Sequence, residues 1–389
     1  MNGGLQALLL HEGEIYTPEP RGRGSVLLVD GKIAAVGALR LGDVQRAADA
    51  LHLDLETLDA RESIIAPGLI DPHEHLLGPS GEEGFSSRGP EIFCVELIES
   101  GITTVVGTLG TDNTMRTPPE LLAKVKALAE EGLSAFMYSG GYSIPPVTLM
   151  GSLRNDVMFI DEVIGAGEVA VSDSRAVNPT PRDIASIAIE TRVGGKLARK
   201  AGVTHLHLGP SASGLQPVID ALNEFELEPA ALYPTHITRS KALLRQAIGL
   251  ARRGAFVDID TTENDLAECL DNYEREDGPF AQLTVSTDAG GDSPRNLLAQ
   301  LRDAAAGGRS LDQLLPLVTQ NTARALHLPR KGTLRPGCDG DLLVLDRATL
   351  TPRYVVAHGK LVLKDGDVIK RPSFLSTSDR EVTLSGEKA

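Results

Sequence analysis

The sequence predicts an α/β protein: a (β/α)8 barrel of the TIM type joined to a small β-sandwich domain that is built from both termini. Strand-like and helix-like segments alternate through residues 66–330, whereas residues 1–65 and 331–389 consist of short strands separated by turns. Eight strand–helix units in a row favour a closed barrel over an open sheet. No GxGxxG motif follows a predicted strand, which speaks against a dinucleotide-binding fold. We therefore expect residues 1–65 and 331–389 to form one small domain beside the barrel.

The two ends of the chain carry the predicted strands of the small domain. Apolar runs rich in Val, Ile and Leu lie beside short turns, a pattern typical of β-hairpins. Gly31-Lys32 is one such turn and His358-Gly359 is another. The predicted strands are Ser25–Asp30, Ile33–Val36, Ser63–Ala66, Asp341–Leu345, Tyr354–Ala357 and Lys360–Leu363.

The middle of the chain carries the predicted barrel units. Thr117, followed by Pro118 and Pro119, is a helix start signal. Helical periodicity also covers Asp183–Ala201 and Ser240–Arg253. The predicted strands are Leu69–Asp71, Thr103–Thr108, Ser134–Tyr138, Val169–Ser172, Val203–Leu208, Ala231–His236, Ala255–Ile259 and Leu283–Thr287.

Composition narrows the classes of function. The formal net charge of −15 argues against a nucleic-acid-binding surface, because phosphate binding needs clustered Lys and Arg. Three separated cysteines give neither a disulfide framework nor a CxxC zinc motif, which suits a reducing cytosol. The N-terminus lacks the features of a signal peptide, and no run approaches the roughly 18–20 apolar residues that span a bilayer. We expect a cytoplasmic protein without membrane or nucleic-acid partners.

Five residues at the ends of predicted strands point to a metal site. A single histidine at a strand end is usually a hydrogen-bonding residue, and His205, which faces away from His207, is interpreted in this way. Several such residues on successive strands are different, because the carboxyl ends of barrel strands converge at the catalytic face. Imidazole and carboxylate groups are the ligands that zinc takes. The candidates are His73, His75, His207, His236 and Asp288.

These motifs resemble those of a known family. PGLIDPHEH, the two later histidines and the strand-end aspartate resemble the metal signature of the amidohydrolase superfamily. The C-terminal NTARALHLPRKGTLRPGCDGDLLVLD is also typical of that superfamily. Within it, the chain is most similar to the isoaspartyl (β-aspartyl) dipeptidases. The matching stretches are GEEGFSSRGPE, VVGTLGTDNT, SGGYSIP, VSDSRA, PTHITR and TRVGGKLA.

The resemblance implies a zinc-dependent hydrolase with two ions per chain. His73, His75 and Asp288 would hold the first ion, and His207 and His236 would hold the second. The family's reaction is attack of a metal-bound hydroxide on the side-chain amide of an isoaspartyl dipeptide. Asp288 would act as general base and then as general acid. Relatives are commonly homo-oligomeric, and the resemblance extends that expectation to this chain.

The resemblance also implies a substrate pocket. Glu82 would meet the free α-amino group, and Thr111 would lie on a loop that lines the pocket. Tyr142 would donate a hydrogen bond to the scissile carbonyl oxygen, while Arg175 and Arg239 would bind the two carboxylates. The residue types fit independently, since the forked guanidinium binds carboxylates bidentately. Outside the family context, each arginine could equally form a surface ion pair.

The sequence departs from the family at two positions. The family carries a carboxylated lysine on the fourth strand, but GAGEVAVSDSR has no lysine. We hypothesise that Glu168 supplies the bridging carboxylate, with a single-metal enzyme as the alternative. Asp292 stands where the family has a substrate-contacting serine, and Ser293 could replace that serine only if the loop shifted by one residue.

Two other functions remain open at this point. Another amidohydrolase that acts on a cyclic amide or an N-acyl amino acid, dihydroorotase-like or deacetylase-like, would share the metal ligands. It need not carry Tyr142, Arg175 and Arg239. A catalytically inactive scaffold is the second alternative, but such proteins tend to lose metal ligands.

Overall fold

The strands at the two ends of the chain belong to one nine-stranded sheet. The computed structural model describes residues 5–262 and 264–369. Five of the nine strands precede the barrel and four follow it. Their bounds are β1 Gln6–Tyr16, β2 Pro20–Val29, β3 Lys32–Gly37, β4 Asp54–Asp59, β5 Ser63–Pro67, β14 Leu342–Asp346, β15 Pro352–Ala357, β16 Lys360–Lys364 and β17 Asp367–Val368.

The strands β5 and β14 join the two ends of the chain. They run antiparallel, with Ile65 opposite Val344, and β5 also pairs in parallel with β1. Side chains from both ends, among them Leu10, Ile15 and Val356, are buried in a shared apolar core. Removing this apolar surface from water is what holds the two ends together. The sandwich form of the small domain and the boundaries at residues 65 and 330 stay predictions.

Eight parallel strands between these ends form the barrel. Six of them, β6 to β11, form one hydrogen-bonded sheet, and β12 pairs with β13. After β13, the backbone N–H of Asp288 donates to the carbonyl of His73 at 3.0 Å, which brings the chain back to β6. The bounds are β6 Leu69–Glu74, β7 Ile102–Gly107, β8 Ser134–Ser139, β9 Val163–Val171, β10 Val203–Leu208, β11 Leu232–Thr235, β12 Val257–Asp260 and β13 Leu283–Ser286.

Helices connect successive strands, and several begin at the expected signals. Thr117 caps α3 with Pro118 in the first turn, and Ser240 caps α7. Each cap oxygen satisfies a backbone N–H that has no partner within the helix. Within the described residues, no helix is long and apolar enough to cross a membrane. The bounds are α1 Leu41–Ala50, α2 Cys94–Glu99, α3 Pro118–Glu130, α4 Leu153–Phe159, α5 Pro181–Ala198, α6 Gln216–Glu224, α7 Lys241–Arg252, α8 Leu266–Arg275, α9 Arg295–Ala306, α10 Leu311–Leu314 and α11 Gln320–Ala325.

The fourth barrel strand differs from its prediction. Strand β9 begins at Val163, whereas the sequence pattern predicts a start at Val169. The glycines in the Gly-Ala-Gly run weaken the strand signal. Pairing of Met137 with Val163 and of Val203 with Gly165 nevertheless extends the strand. As a consequence, Glu168 lies inside the barrel wall and not in a loop before it.

Candidate active site

The predicted metal ligands gather at the carboxyl ends of the barrel strands. His73 lies near the end of β6 and His207 near the end of β10. His75, His236 and Asp288 lie just beyond β6, β11 and β13. Because parallel strands end at the same edge of the barrel, these five side chains meet there. His236 and Asp288 also have positive φ angles of 59° and 53°, which are uncommon for residues other than glycine and often occur at functional sites.

Glu168 lies at the centre of this group. Its Oε2 atom lies 2.9 Å from His207 Nδ1, 3.2 Å from His73 Nε2 and 3.7 Å from His236 Nε2. Its Oε1 atom lies 3.6 Å from His75 Nε2. The carboxylate thus reaches all four imidazoles, although a glutamate side chain is much shorter than a carboxylated lysine.

The backbone of Gly110 packs closely against His75 and Glu168. A Cβ atom on Gly110 would lie 2.9 Å from His75 Cε1 and 3.4 Å from Glu168 Oε1. Any larger residue at this position would push against the imidazole ring. The chain therefore needs glycine beside His75 to keep the ligands together.

Asp288 completes the side of the cluster that contains His73 and His75. Its Oδ1 atom lies 3.3 Å from His73 Nε2 and 3.2 Å from His75 Nε2. Three sets of ligand atoms lie within 4.8 Å of one another. These sets are His73, His75 and Asp288; His73, Glu168 and His236; and His236, Asp260 and Asp288.

The buried polar atoms of the cluster fit a bound cation. Both ring nitrogens of His73, the Nε2 atom of His236 and the Oε1 atom of Glu168 are buried without a hydrogen-bond partner in the described chain. A buried polar group without a partner costs roughly 1–3 kcal/mol. One ligand atom from each of these three residues nevertheless lies within 4.8 Å of the other two, an arrangement that a metal ion between them would satisfy.

Two carboxylates outside the predicted set orient the imidazoles. Asp260 Oδ2 accepts from Nδ1 of His236 at 2.8 Å, and Asp173 Oδ2 accepts from Nε2 of His207 at 3.0 Å. Each contact holds its imidazole ring beside Glu168, whose Oε2 atom lies 2.9 Å from His207 Nδ1 and 3.7 Å from His236 Nε2. Both residues are strand-end acids, one closing β12 and one following β9, so their position was the signal that could have identified them.

The carboxylates give the pocket a strongly negative field. Burial alone would lower the pKa of His73, but Glu168 and Asp288 raise it to about 9. Burial alone would also lower the pKa of His236, but Asp260 and Glu168 raise it to about 10. A field that holds protons on buried imidazoles also attracts a divalent cation, which would displace those protons.

The predicted substrate residues lie beside the metal-ligand cluster. Arg175 Nη2 lies 3.0 Å from His207 Nε2 and 3.4 Å from the Tyr142 hydroxyl. Arg239 Nη1 lies 3.0 Å from the same His207 atom and donates to the Leu208 carbonyl. Two guanidinium groups and a phenol thus converge on the Nε2 side of His207.

Glu82, Thr111 and Asp292 lie further out. Glu82 forms an ion pair with Arg175 at 3.2 Å and accepts a hydrogen bond from the Thr111 hydroxyl. Asp292 is exposed in the loop after β13, and within the described chain it makes no hydrogen bond or ion pair with the other site residues. The fold therefore brings all predicted site residues except Asp292 into one contacting group.

The barrel, the nine-stranded sheet beside it and the candidate metal ligands at the strand ends define the class of protein. A model of the amidohydrolase family matches residues 64–370, and the chain belongs to that family. It is a hydrolase with candidate metal-binding groups at the carboxyl ends of its barrel strands.

The chain is similar to a particular member of the class. Two crystal structures of the β-aspartyl dipeptidase from the thermophilic keratin-degrading Fervidobacterium islandicum AW-1 share 32% sequence identity with it and superpose with a TM-score of 0.87. They cover 97% and 99% of this chain and 100% of their own. One of them contains the β-Asp-Leu dipeptide. The resemblance to the isoaspartyl dipeptidases is confirmed.

More distant curated relatives carry other activities. A dihydroorotase from Pelotomaculum thermopropionicum is 28% identical over 82% of this chain and 84% of its own length. An imidazolonepropionase from Brucella anthropi is 25% identical over 82% of this chain and 85% of its own length. These matches extend along most of both chains, as expected within one family.

Proposed function

We propose that this protein hydrolyses the isopeptide bond of β-aspartyl dipeptides in a metal-dependent reaction. The observation that carries the proposal is the group formed by Tyr142, Arg175 and Arg239 on the Nε2 side of His207. The similarity to a β-aspartyl dipeptidase of known structure supports it.

The charges of the pocket suit such a substrate. A β-aspartyl dipeptide has two carboxylates and one ammonium group, and the pocket offers two arginines and Glu82. The ion pair between Glu82 and Arg175 is available for exchange, because the two side chains are 45% and 38% exposed. An exposed pair of this kind is worth only about 0–1 kcal/mol. The substrate ammonium would replace Arg175 at Glu82, and a substrate carboxylate would replace Glu82 at Arg175.

The metal ligands would hold two divalent cations, with zinc as the proposed metal. His73, His75 and Asp288 would hold one cation, His207 and His236 the other, and Glu168 would contact both. When bound, the cations would lower the pKa of water and polarise the amide carbonyl. Asp260 and Asp173 would hold the two imidazoles of His236 and His207 in the tautomers that the metal needs.

Asp288 would move the proton. Burial alone would raise the pKa of this carboxyl, but His73, His75 and His236 hold it well below its usual range, so it is ionised at neutral pH. It would accept a proton from the attacking water and then deliver it to the departing amino group.

Tyr142 would stabilise the negative charge that develops on the carbonyl oxygen. Burial raises the pKa of its phenol well above the usual range, and Glu168 adds to the effect. The hydroxyl therefore keeps its proton at physiological pH and can donate it in a hydrogen bond. A preorganised donor in a site that excludes water is worth more than the same donor in solution.

A shallow cavity beside Glu82 would receive the side chain of the leaving residue. This cavity of about 370 Å³ is lined by Thr111, Phe85 and Met115 as well as by Glu82. Phe85 is 87% exposed and Met115 is 56% exposed, so both offer apolar surface to a ligand. An apolar leaving residue such as leucine would bury part of this surface.

The direct test is release of leucine from β-Asp-Leu by the zinc-loaded protein, with α-Asp-Leu as the control substrate. We expect cleavage of the β-isomer alone. The Asp288→Asn variant should lose turnover while it keeps most of its metal. Full activity in that variant would refute the role of Asp288.

A second candidate function is hydrolysis of a cyclic amide or an N-acyl amino acid. The similarity to a dihydroorotase over most of both chains favours this candidate. If zinc binds but neither dipeptide is cleaved, the proposal of an isoaspartyl dipeptidase fails. Turnover of a cyclic amide or an N-acyl amino acid by the same preparation would then identify this alternative.

A further inference from the structure

A basic cavity lies at the end of the barrel opposite the metal-ligand cluster. It has a volume of about 680 Å³ and lies between the C-terminal end of α5, helix α11 and residues 327–335. Residues 199–200 come just before β10, whereas His207 lies near the end of the same strand. The cavity and the candidate active site are therefore separated by the length of β10.

The lining of the cavity has an unusual charge for this protein. Within the described part of the chain, no aspartate or glutamate lines it, although the whole chain has a net charge of −15. The cations that line it are Arg192, Lys196, Arg199, Lys200, Arg324, Lys331 and Arg335. Like charges repel, so a concentration of cations without lining carboxylates is costly to assemble unless an anion compensates it.

Two of these cations have structural roles. Lys200 Nζ donates to the carbonyl of Val157 at 2.8 Å and also to the carbonyls of residues 160 and 163. Lys331 is buried, and its Nζ contacts Asp339 and Asp341 at 3.2 and 2.5 Å. These two lysines are accounted for by the fold itself.

The remaining cations are poorly neutralised. Arg192 and Lys196 share one carboxylate, Glu228. Arg199 is exposed and forms no ion pair with the described residues. Arg335 is also exposed, and its Nε donates only to a threonine hydroxyl at 3.2 Å. Arg324 lies over an aromatic ring and donates to a backbone carbonyl, and no ion pair joins it to a carboxylate of the described residues.

The dipole of α5 does not explain this arrangement. Cations near the C-terminus of a helix are favoured, and this accounts for Lys196 and Arg199. Arg324 and Arg335, however, belong to α11 and to the segment after it. Two chain segments that are far apart in the sequence, residues 192–200 and 320–335, thus direct cations to one cavity.

The rest of the wall is uncharged. Ala323, Leu328 and Pro329 provide apolar surface next to the cations. Burial and the nearby Arg192 lower the pKa of His327, so this imidazole is a neutral hydrogen-bonding group at physiological pH. A ligand that matches the cavity would combine an anionic group with an uncharged body.

We propose that this cavity binds a phosphate-bearing anion of nucleotide size through Arg199 and Arg335. The planar fork of arginine binds phosphate oxygens bidentately. A volume of about 680 Å³ is in the range of clefts that bind ligands of this size. The proposal does not depend on the function assigned to the metal-ligand cluster.

The test is calorimetric titration of the full-length metal-loaded protein, freed of excess metal, in 0.15 M salt. The probes are adenosine diphosphate and pyrophosphate, with adenosine as the uncharged control. We expect saturable binding of adenosine diphosphate and pyrophosphate and none of adenosine. The double variant Arg199→Ala with Arg335→Ala should weaken that binding by about tenfold or more, because each charge-assisted hydrogen bond contributes to affinity.

A matched variant controls for the loss of surface charge. Arg46 is exposed in α1 and pairs with Asp43 three residues away, so Arg46→Ala should leave anion binding unchanged. Equal anion affinity in the double variant and the native protein would overturn the proposal and place the anion elsewhere, for example at the metal ligands. The absence of saturable binding, or equal binding of adenosine, would also overturn it. The proposal would also be overturned if no anion bound and the double variant differed from the native protein in oligomeric state. The cavity would then be an interface between chains.

Discussion

Glu168 illustrates how one side chain can organise a site. Its two oxygens lie 2.9–3.7 Å from nitrogens of four imidazoles that come from three different segments of the chain. Burial alone would raise the pKa of this carboxyl, but His73 and His207 hold it well below its usual range. The group is therefore an ionised carboxylate in a position from which it can bridge two cations.

A first prediction concerns the removal of this carboxylate. Glu168→Ala should lower the metal content by about one ion per chain, because among the described residues no other carboxylate contacts all four imidazoles. The measurement is elemental analysis of purified protein, and Glu162→Gln, at an exposed ion pair with Lys126, is the control. Unchanged metal stoichiometry in Glu168→Ala would rule out the bridging role.

A second prediction concerns the phenol of Tyr142. Tyr142→Phe should lower kcat for β-Asp-Leu by about 100-fold, the usual effect of losing one oxyanion donor, while KM changes little. Metal content should stay the same, since the hydroxyl contacts Arg175 and is not a metal ligand in the proposal. Steady-state kinetics of this variant and of Tyr273→Phe, whose hydroxyl lies elsewhere, would measure the effect. A large rise in KM at unchanged kcat would contradict the proposed role.

At the scale of elements, the segment before β14 joins the two ends of the chain. Ile33 in β3 exchanges backbone hydrogen bonds with residues 337 and 338. The side chain of Asp339 pairs with Lys32 and, at 3.2 Å, with Lys331. Burial alone would raise the pKa of Asp339, but Lys32 and Lys331 lower it to about 2. This buried carboxylate therefore stabilises the contact between distant parts of the chain.

A third prediction follows from that pKa. The unfolded-state pKa is about 3.9, so the stabilisation is fully present above about pH 4 and is lost as the pH falls towards 2. Asp339→Asn should lower the free energy of unfolding at pH 7 by about 1–2 kcal/mol and flatten its fall between pH 4 and 2. Urea unfolding across this pH range would measure both effects. Asp59→Asn, at the exposed ion pair with Arg61, should change little. An equal effect of both variants would contradict the argument.

At the scale of the whole molecule, the candidate metal site connects strands that are far apart in the sequence. Its ligands come from β6, β9, β10 and from the ends of β11 and β13. Within the described residues, the barrel strands β11 and β12 are not paired by backbone hydrogen bonds. Cations that bind ligands from both sides of the ring would therefore stabilise the closed barrel.

A fourth prediction is that removing the metal destabilises the barrel. A chelator should lower the melting temperature by about 5 °C or more, because ligands that bind only the folded state stabilise it. Re-addition of zinc should restore the melting temperature. Thermal unfolding followed by circular dichroism would measure this, and Glu168→Ala should show a smaller shift. A melting temperature that does not respond to the chelator would contradict a metal site that joins the strands.

Local patterns in the sequence determined much of this protein. The apolar runs predict the barrel strands, and the histidines and Asp288 at strand ends predict the metal ligands, because residues at the ends of parallel strands must meet at one edge. The same patterns did not reveal the full length of β9, since its glycines carry no strand signal and only pairing with β8 and β10 extends it.

Only the tertiary structure decided the contacts between distant residues. The pairing of Asp260 with His236, the reach of Glu168 to four imidazoles and the exposed position of Asp292 depend on side-chain geometry across different strands. The convergence of cations from two distant segments on one cavity is equally invisible in the linear sequence. Residue type and local periodicity specify which element a side chain belongs to, whereas the distance between two such side chains is set by the packing of the whole barrel.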